Sequence, residues 1–294
     1  MEWFVFVLVA ITLWSLKNIV DKVYLSKMNV RPSVLTFLML IFNFGYVLLL
    51  TPFFELNINI MEIWPAIILG IFGGLSFMLY SKAISKDDLS RSFAISQISP
   101  IFVILLEVIF LSEMLGMNEY LGIVLLVLGA IALSIKDLKT FEVSPAIGLA
   151  ILMAIFYACY SALARFGAGT LNAWTLLFWS MLTATLISSI ALIKEKNRKN
   201  LKNFFTMGKK KIGIYLFSVS FSVVARFSYL SAMGLASASL VAGLAAIQPL
   251  IVLIFTVLAS LFIPNILKES LDKKSLLFKF VGVVLIIVGT ILVI

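Results

Sequence analysis

Ten stretches of about twenty apolar residues follow one another along this chain, at roughly 3–25, 34–54, 63–82, 90–112, 119–135, 145–166, 173–193, 212–233, 238–262 and 277–294. A run of that length crosses ~30 Å of hydrocarbon as a helix. Inside hydrocarbon an unpaired backbone amide has no water to turn to, so a spanning segment must be a helix or part of a closed barrel. Barrel strands would read as alternating segments of about ten residues, and these runs do not alternate. With 62% of residues hydrophobic and 13% charged, too little polar surface remains to clothe a water-soluble globule. The sequence therefore predicts an all-α, polytopic membrane protein of ten transmembrane helices, with the lipid bilayer of a cell membrane as its first partner. Only residues 194–211 and 264–275 form polar loops of any length, and neither is large enough to fold as a domain.

Histidine is absent and Cys159 is the only cysteine. That excludes disulfides within the chain, paired-thiol redox chemistry, histidine metal sites and histidine-based triads. No GxxxxGK[ST] loop is present for ATP hydrolysis. The expectation is a protein that is not an enzyme, holds no cofactor or metal, and draws on gradients for any work it does. The net charge of +9 resides in short loops between apolar runs, which is the pattern of cytoplasmic retention rather than of nucleic-acid binding. Glu2 stands where a signal peptide would carry basic residues, so the first segment reads as a retained helix.

The second half of the chain repeats the first. Tyr80, Ala83, Ser90, Ile98 and Pro100 recur at one offset as Tyr229, Ala232, Ser239, Ile247 and Pro249, and Gly122 and Gly129 recur at a larger offset as Gly282 and Gly289. Two five-helix copies result, over residues 1–137 and 145–294. Because five is odd, tandem copies must face the membrane in opposite senses. Loop charge agrees: Lys27, Arg31, Lys82, Lys86 and Arg91 follow helices 1 and 3, whereas the loops after helices 2 and 4 hold only Glu55, Glu62, Glu113 and Glu119. In the second copy the bias moves to the opposite loops, with eight basic residues in 194–211 and Lys268, Lys273 and Lys274 before helix 10. All the basic loops then share one side, and the positive-inside rule makes that side cytoplasmic, with both termini outside.

The run from Tyr80 through Ser90, Ser99-Pro100 and Leu111-Ser112-Glu113 to Gly122 and Gly129, with its second copy from Tyr229 through Gln248-Pro249 to Gly282 and Gly289, resembles the repeat of the drug/metabolite transporter superfamily in its ten-helix EamA-type branch. The resemblance covers nearly the whole chain and implies a carrier whose cavity is lined by helices 1, 3 and 4 and their counterparts 6, 8 and 9. Two departures stand out. Phe262 occupies the register position of Glu113 in the second copy, and relatives keep both termini in the cytoplasm, contrary to the charge count here.

Polar side chains on those helices are the candidate site. Trp14, Lys17, Asn18 and Asp21 share one stripe of helix 1, with Lys17 and Asp21 one turn apart. Such a pair reads equally as an internal ion pair or as part of a cavity. Arg226 on helix 8 shares a face with Ser218, Ser222 and Tyr229, about 21 Å from the cytoplasmic end. It reads as a partner for a substrate carboxylate or phosphate, or as a lock onto Glu107 on helix 4. Tyr80, Ser96, Gln97, Tyr157, Tyr229 and Gln248 are further candidates for substrate binding, Pro100 and Pro249 for a symmetric pair of hinges or fixed kinks, and Glu107 and Asp21 for carrying a coupling proton. Arg165 reads as a topology determinant. The function expected is gradient-driven transport of a small metabolite by alternating access, an amino acid or another small solute, anions included, in the direction of export. The alternatives are a scaffold, a channel or a lipid-handling protein; homodimerisation is left open.

Overall fold

Residues 2–86, 97–134, 145–262 and 273–293 are described by the structure, a computed structural model. These residues form helices joined by short turns, and among them there is no strand. The first copy runs α1 (Glu2–Ser26), α2 (Pro32–Leu50), α3 (Ile60–Lys86), α4 (Ser99–Leu106), which a π-helical turn prolongs over Glu107–Leu111, and α5 (Met117–Ser134). The second runs α6 (Pro145–Ala168), α7 (Ala173–Ser189), α8 (Glu195–Phe205), α9 (Lys209–Leu235), α10 (Ala238–Ala245), α11 (Gln248–Phe262) and α12 (Lys273–Val293). Among the described residues seven helical stretches are long and apolar enough to cross a membrane, and three shorter apolar ones complete the expected ten. Large apolar side chains point outward, Leu49 at 73% and Phe110 at 74% exposure, while Lys17, Asp21, Glu107 and Arg226 are buried inside. That inside-out distribution is what a hydrocarbon solvent selects.

Two sequence readings need correction. The expected polar loop 194–211 contains a helix, α8, whose Phe204 is fully buried against Tyr24 and Tyr215; its charged face hid it from a hydropathy window. The expected single helix over 238–262 is two, α10 and α11, separated by a turn at Ala246 and Ile247. Gln97 and Ile98 make the same turn before α4. Pro100 and Pro249 each occupy the second position of the new helix, where the missing N–H would have been unpaired in any case. The prolines thus start helices rather than bend continuous ones. Ser90, Arg91 and Ser96 lie outside the described residues, as does most of the loop before α12.

The copies interlock rather than sit side by side. Helix α1 packs along α9 and α3 along α6, two pairs that exchange under a two-fold relating the copies; α5 with α12 and α2 with α7 are pairs that such an axis maps onto themselves. At the α5/α12 contact the repeated glycines meet crosswise. A Cβ on Gly289 would stand 2.7 Å from the Gly122 carbonyl oxygen, and one on Gly129 2.8 Å from that of Gly282. Gly70 and Gly74 likewise let α3 approach α7, since a Cβ on Gly70 would meet the Ser180 carbonyl at 2.5 Å. With no hydrophobic drive between helices in lipid, such backbone approach is what gains dispersion energy.

Gly289→Ala or Gly129→Ala should therefore destabilise the detergent-solubilised protein by about 1–3 kcal/mol, the usual range for overpacking. Gly45→Ala, whose added Cβ meets nothing within 4 Å, should be neutral or stabilising by up to ~1 kcal/mol through helix propensity. Thermal unfolding of the three variants checks this, and equal stability of Gly289→Ala and Gly45→Ala would exclude the close crossing.

Candidate functional site

A cavity of about 870 Å³, its open mouth included, lies between the two copies. The first copy contributes Trp14, Lys17, Asn18 and Asp21 from α1, Tyr80 from α3, and Gln97 from the turn before α4; the second contributes Tyr157 from α6, Arg226 from α9 and Gln248 at the start of α11. Nine of the residues singled out in the sequence are thus brought to one space. Apolar neighbours complete the wall: Met39, Phe77 and Met153, with Ala242 and Ala245 on α10. These were not legible beforehand, because a methionine facing a cavity and one facing lipid look alike in a hydrophobic sequence. Ser76, Ser99 and Ser222 also line it.

Helical periodicity creates the α1 edge of the cavity. Positions 14, 17, 18 and 21 recur at three- and four-residue spacing and so face one way. Lys17 is 2% and Asp21 5% exposed, and the Lys17 ammonium donates to Asp21 Oδ2 across one turn. Asp21 Oδ1 accepts no hydrogen bond. Lys17 Nζ also stands 5.6 Å from the centre of the Tyr215 ring.

Arg226 does not lock onto Glu107. It is 1% exposed, its guanidinium carbon lies 4.2 Å from the centre of the Phe77 ring, and the Tyr160 hydroxyl is a polar neighbour. Its Nε and Nη2 make no hydrogen bond. Glu107, also 1% exposed, instead caps α10 from the other copy: it accepts the Ser239 N–H at 2.9 Å, together with the Ala238 N–H and the Ser239 hydroxyl. A carboxylate there satisfies first-turn amides and the positive end of the helix dipole. Glu107 and Tyr229 are not among the residues that line the cavity.

Tyr229 belongs to the floor beneath it. Its ring lies 5.3 Å from that of Trp14, 6.2 Å from Tyr157 and 6.4 Å from Tyr160, and its hydroxyl is 3.1 Å from that of Ser161. Beyond this aromatic layer, towards the helix ends opposite the lysine-rich loop, Glu113 and Arg165 join the copies. Arg165 Nε is 3.1 and 3.2 Å from the two Glu113 oxygens, Nη2 is 3.0 Å from Oε1, and Nη1 donates to the Met233 carbonyl at 3.0 Å. Arg165 was read as a topology determinant; its place at the end of α6 remote from the basic loops is the signal that it had another partner.

The EamA-like transporter family matches the chain twice, over residues 1–135 and 144–294. No curated protein matches it. A solved structure described only as a crystal structure of a protein superposes on it with a TM-score of 0.74, covering 99% of this chain and 97% of its own, at 16% identity. At that identity the likeness shows the fold.

Removing one partner of the buried Lys17–Asp21 pair strands the other charge, so Lys17→Met or Asp21→Asn should each cost about 3–5 kcal/mol. The double variant Lys17→Met/Asp21→Leu should recover most of that loss, because a hydrophobic replacement of the whole pair is close to neutral. A thermal-unfolding double-mutant cycle measures the coupling; strictly additive losses would mean that the pair is not formed.

Proposed function

This chain belongs to the EamA-like transporter family, and we propose that it is a gradient-driven carrier that exports a small metabolite by alternating access. One observation carries the reading: a cavity lined from both copies, with charged and polar groups set in a largely apolar wall, is closed towards one side of the fold by contacts that include three crossings between the copies, Glu113 to Arg165, Glu107 to the start of α10, and Trp14 to Tyr229. In an inverted-repeat carrier the cargo sits at the repeat interface, and rocking of one copy against the other exposes it to either side.

The sidedness supports export. Lys17 and Asp21 lie near the end of α1, and Ser76 and Tyr80 near the end of α3, that leads to a basic loop. With those loops in the cytoplasm and both termini outside, the cavity loads from the cytoplasmic half of the protein. Its floor of Trp14, Tyr157, Tyr160 and Tyr229 and the Glu113–Arg165–Met233 link then form the outer closure. Opening outward separates α4 from α6 and α9 and breaks that link. The turns at Gln97 and Ile98 and at Ala246 and Ile247 precede α4 and α11 at matching places in the two copies, and they supply points about which such segments can swing.

The carrier reading is tested by counterflow in proteoliposomes: internal unlabelled solute should accelerate uptake of its labelled form and saturate it. A non-saturating conductance would mark a channel, and no flux of any solute in a broad metabolite panel would leave a scaffold. The outer closure has its own test. In Arg165→Ala, a cysteine introduced at Tyr229 should react with a membrane-impermeant thiol reagent from outside cells several-fold faster than in the unaltered background, with Cys159 replaced by serine in both. Equal rates would remove Arg165 from the closure. Labelling of Lys199→Cys from outside intact cells would reverse the orientation.

A further inference from the structure

Arg226 carries a positive charge in the middle of a membrane helix, and among the described residues the neighbours that act on it are neutral or positive. The face of Phe77 and the hydroxyl of Tyr160 are neutral. Lys17 is a charged group that acts on it, and it repels Arg226. Both described carboxylates at comparable depth are committed elsewhere, Asp21 to Lys17 and Glu107 to the start of α10. Among the described residues that line the cavity, Lys17 and Asp21 cancel and Arg226 is left as one uncompensated positive charge.

The geometry of what is unsatisfied is specific. Nε and Nη2, the two nitrogens without a hydrogen bond, form one edge of the guanidinium plane. Their N–H bonds are parallel and spaced to meet both oxygens of a carboxylate. A single acceptor offered to that edge leaves one N–H poorly paired, and a cation leaves both unpaired. The surrounding wall of Trp14, Phe77, Tyr157, Met39 and Met153 suits an apolar or aromatic body and gives a highly charged solute little to bind. Deepening the carrier reading, on which its cavity rests, we propose that the cargo is a small organic anion of one net negative charge, its carboxylate held by the Nε–Nη2 edge of Arg226 and its apolar body by the aromatic wall. Occupancy brings the cavity to net zero charge. A zwitterion leaves it at plus one, and an amine raises it to plus two. The edge is shut off from water in this conformation, Arg226 being 1% exposed, so a rotamer change at Arg226 or Phe77 accompanies binding.

The consequence for the empty protein separates this role from a structural one. A side chain kept for cargo gives no net stabilisation without it, its contacts with Phe77 and Tyr160 being offset by the cost of burying an unpaired charge, whereas a structural arginine is missed when removed. Purified full-length protein is therefore compared with Arg226→Gln and Arg226→Lys by thermal unfolding, alone and with phenylacetate, phenyl phosphate, phenylalanine or phenethylamine. Arg226→Gln should unfold no lower than the unaltered chain when empty. Phenylacetate should raise the unfolding temperature of the unaltered protein saturably, by a few degrees, and have no such effect in Arg226→Gln; Arg226→Lys should need several-fold more. Phenylalanine and phenethylamine should do little. Stabilisation by phenyl phosphate alone would make the oxyanion a phosphate and overturn the carboxylate assignment.

A markedly lower unfolding temperature of empty Arg226→Gln, an unchanged phenylacetate effect in that variant, stronger stabilisation by the amine, or no stabilisation by any anion would each overturn the proposal. Failure of the carrier reading looks different: phenylacetate would bind through Arg226 and show no counterflow. Counterflow of a neutral solute that ignores Arg226→Gln would keep the carrier and discard the anion.

Discussion

A charge inside hydrocarbon has to be cancelled, and the polar architecture of this protein follows from how that is done. Lys17 and Asp21 cancel within one turn of α1. Glu107 is met by the amides and hydroxyl at the start of α10, and Glu113 by the fork of Arg165. The last two arrangements join the copies, so neutralising a charge and closing the protein on one side are the same event. Arg226 has the aromatic face of Phe77 but no counter-charge among the described residues. Because an isolated ion at such depth is costly, its persistence is the strongest argument that something with the opposite charge visits it.

The inverted repeat supplies two related interfaces, and sequence differences between the copies make them unequal. Glu107 and Glu113 in the first copy have Thr256 and Phe262 at the corresponding register in the second. Among the described residues, the carboxylate links across the copies therefore lie on one side of the fold. Gly70 and Gly74 draw α3 against α7, whereas the equivalent positions of α9 carry Val219 and Val223, and α9 lies less intimately against α2. Under the proposed alternating access, near-symmetric copies would supply two related conformations, each closed on one side.

How much of this was legible depended on contrast with the background. Ten helices, two copies and their inversion show in hydropathy, in the recurrence of Tyr, Ser, Pro and Gly, and in loop charge. Lys17, Asp21 and Arg226 stand out because ionised residues are rare in apolar runs, and the cavity contains all three. The turns before α4 and α11 were invisible to a window that averages over twenty residues, although Pro100 and Pro249 marked their positions. Phe77, Met39 and Met153 carried no signal at all, since the interior of a membrane protein is hardly more apolar than its lipid-facing surface. The Glu113–Arg165 pair was readable in principle: an arginine on the side with few basic residues asks for a partner.

Alternating access, as proposed, requires the two copies to move against each other so that one side closes as the other opens. Pulsed electron–electron distance measurements in lipid nanodiscs test this directly. One label pair, at Gly116 and Thr170, spans the copies on the side of the Glu113–Arg165 link; another, at Met28 and Asn203, spans them on the side of the basic loops. The expected result is two populations for each pair, with Arg165→Ala shifting the first towards long distances and the second towards short ones. A single unchanged distance for both pairs, or both lengthening together, would contradict it.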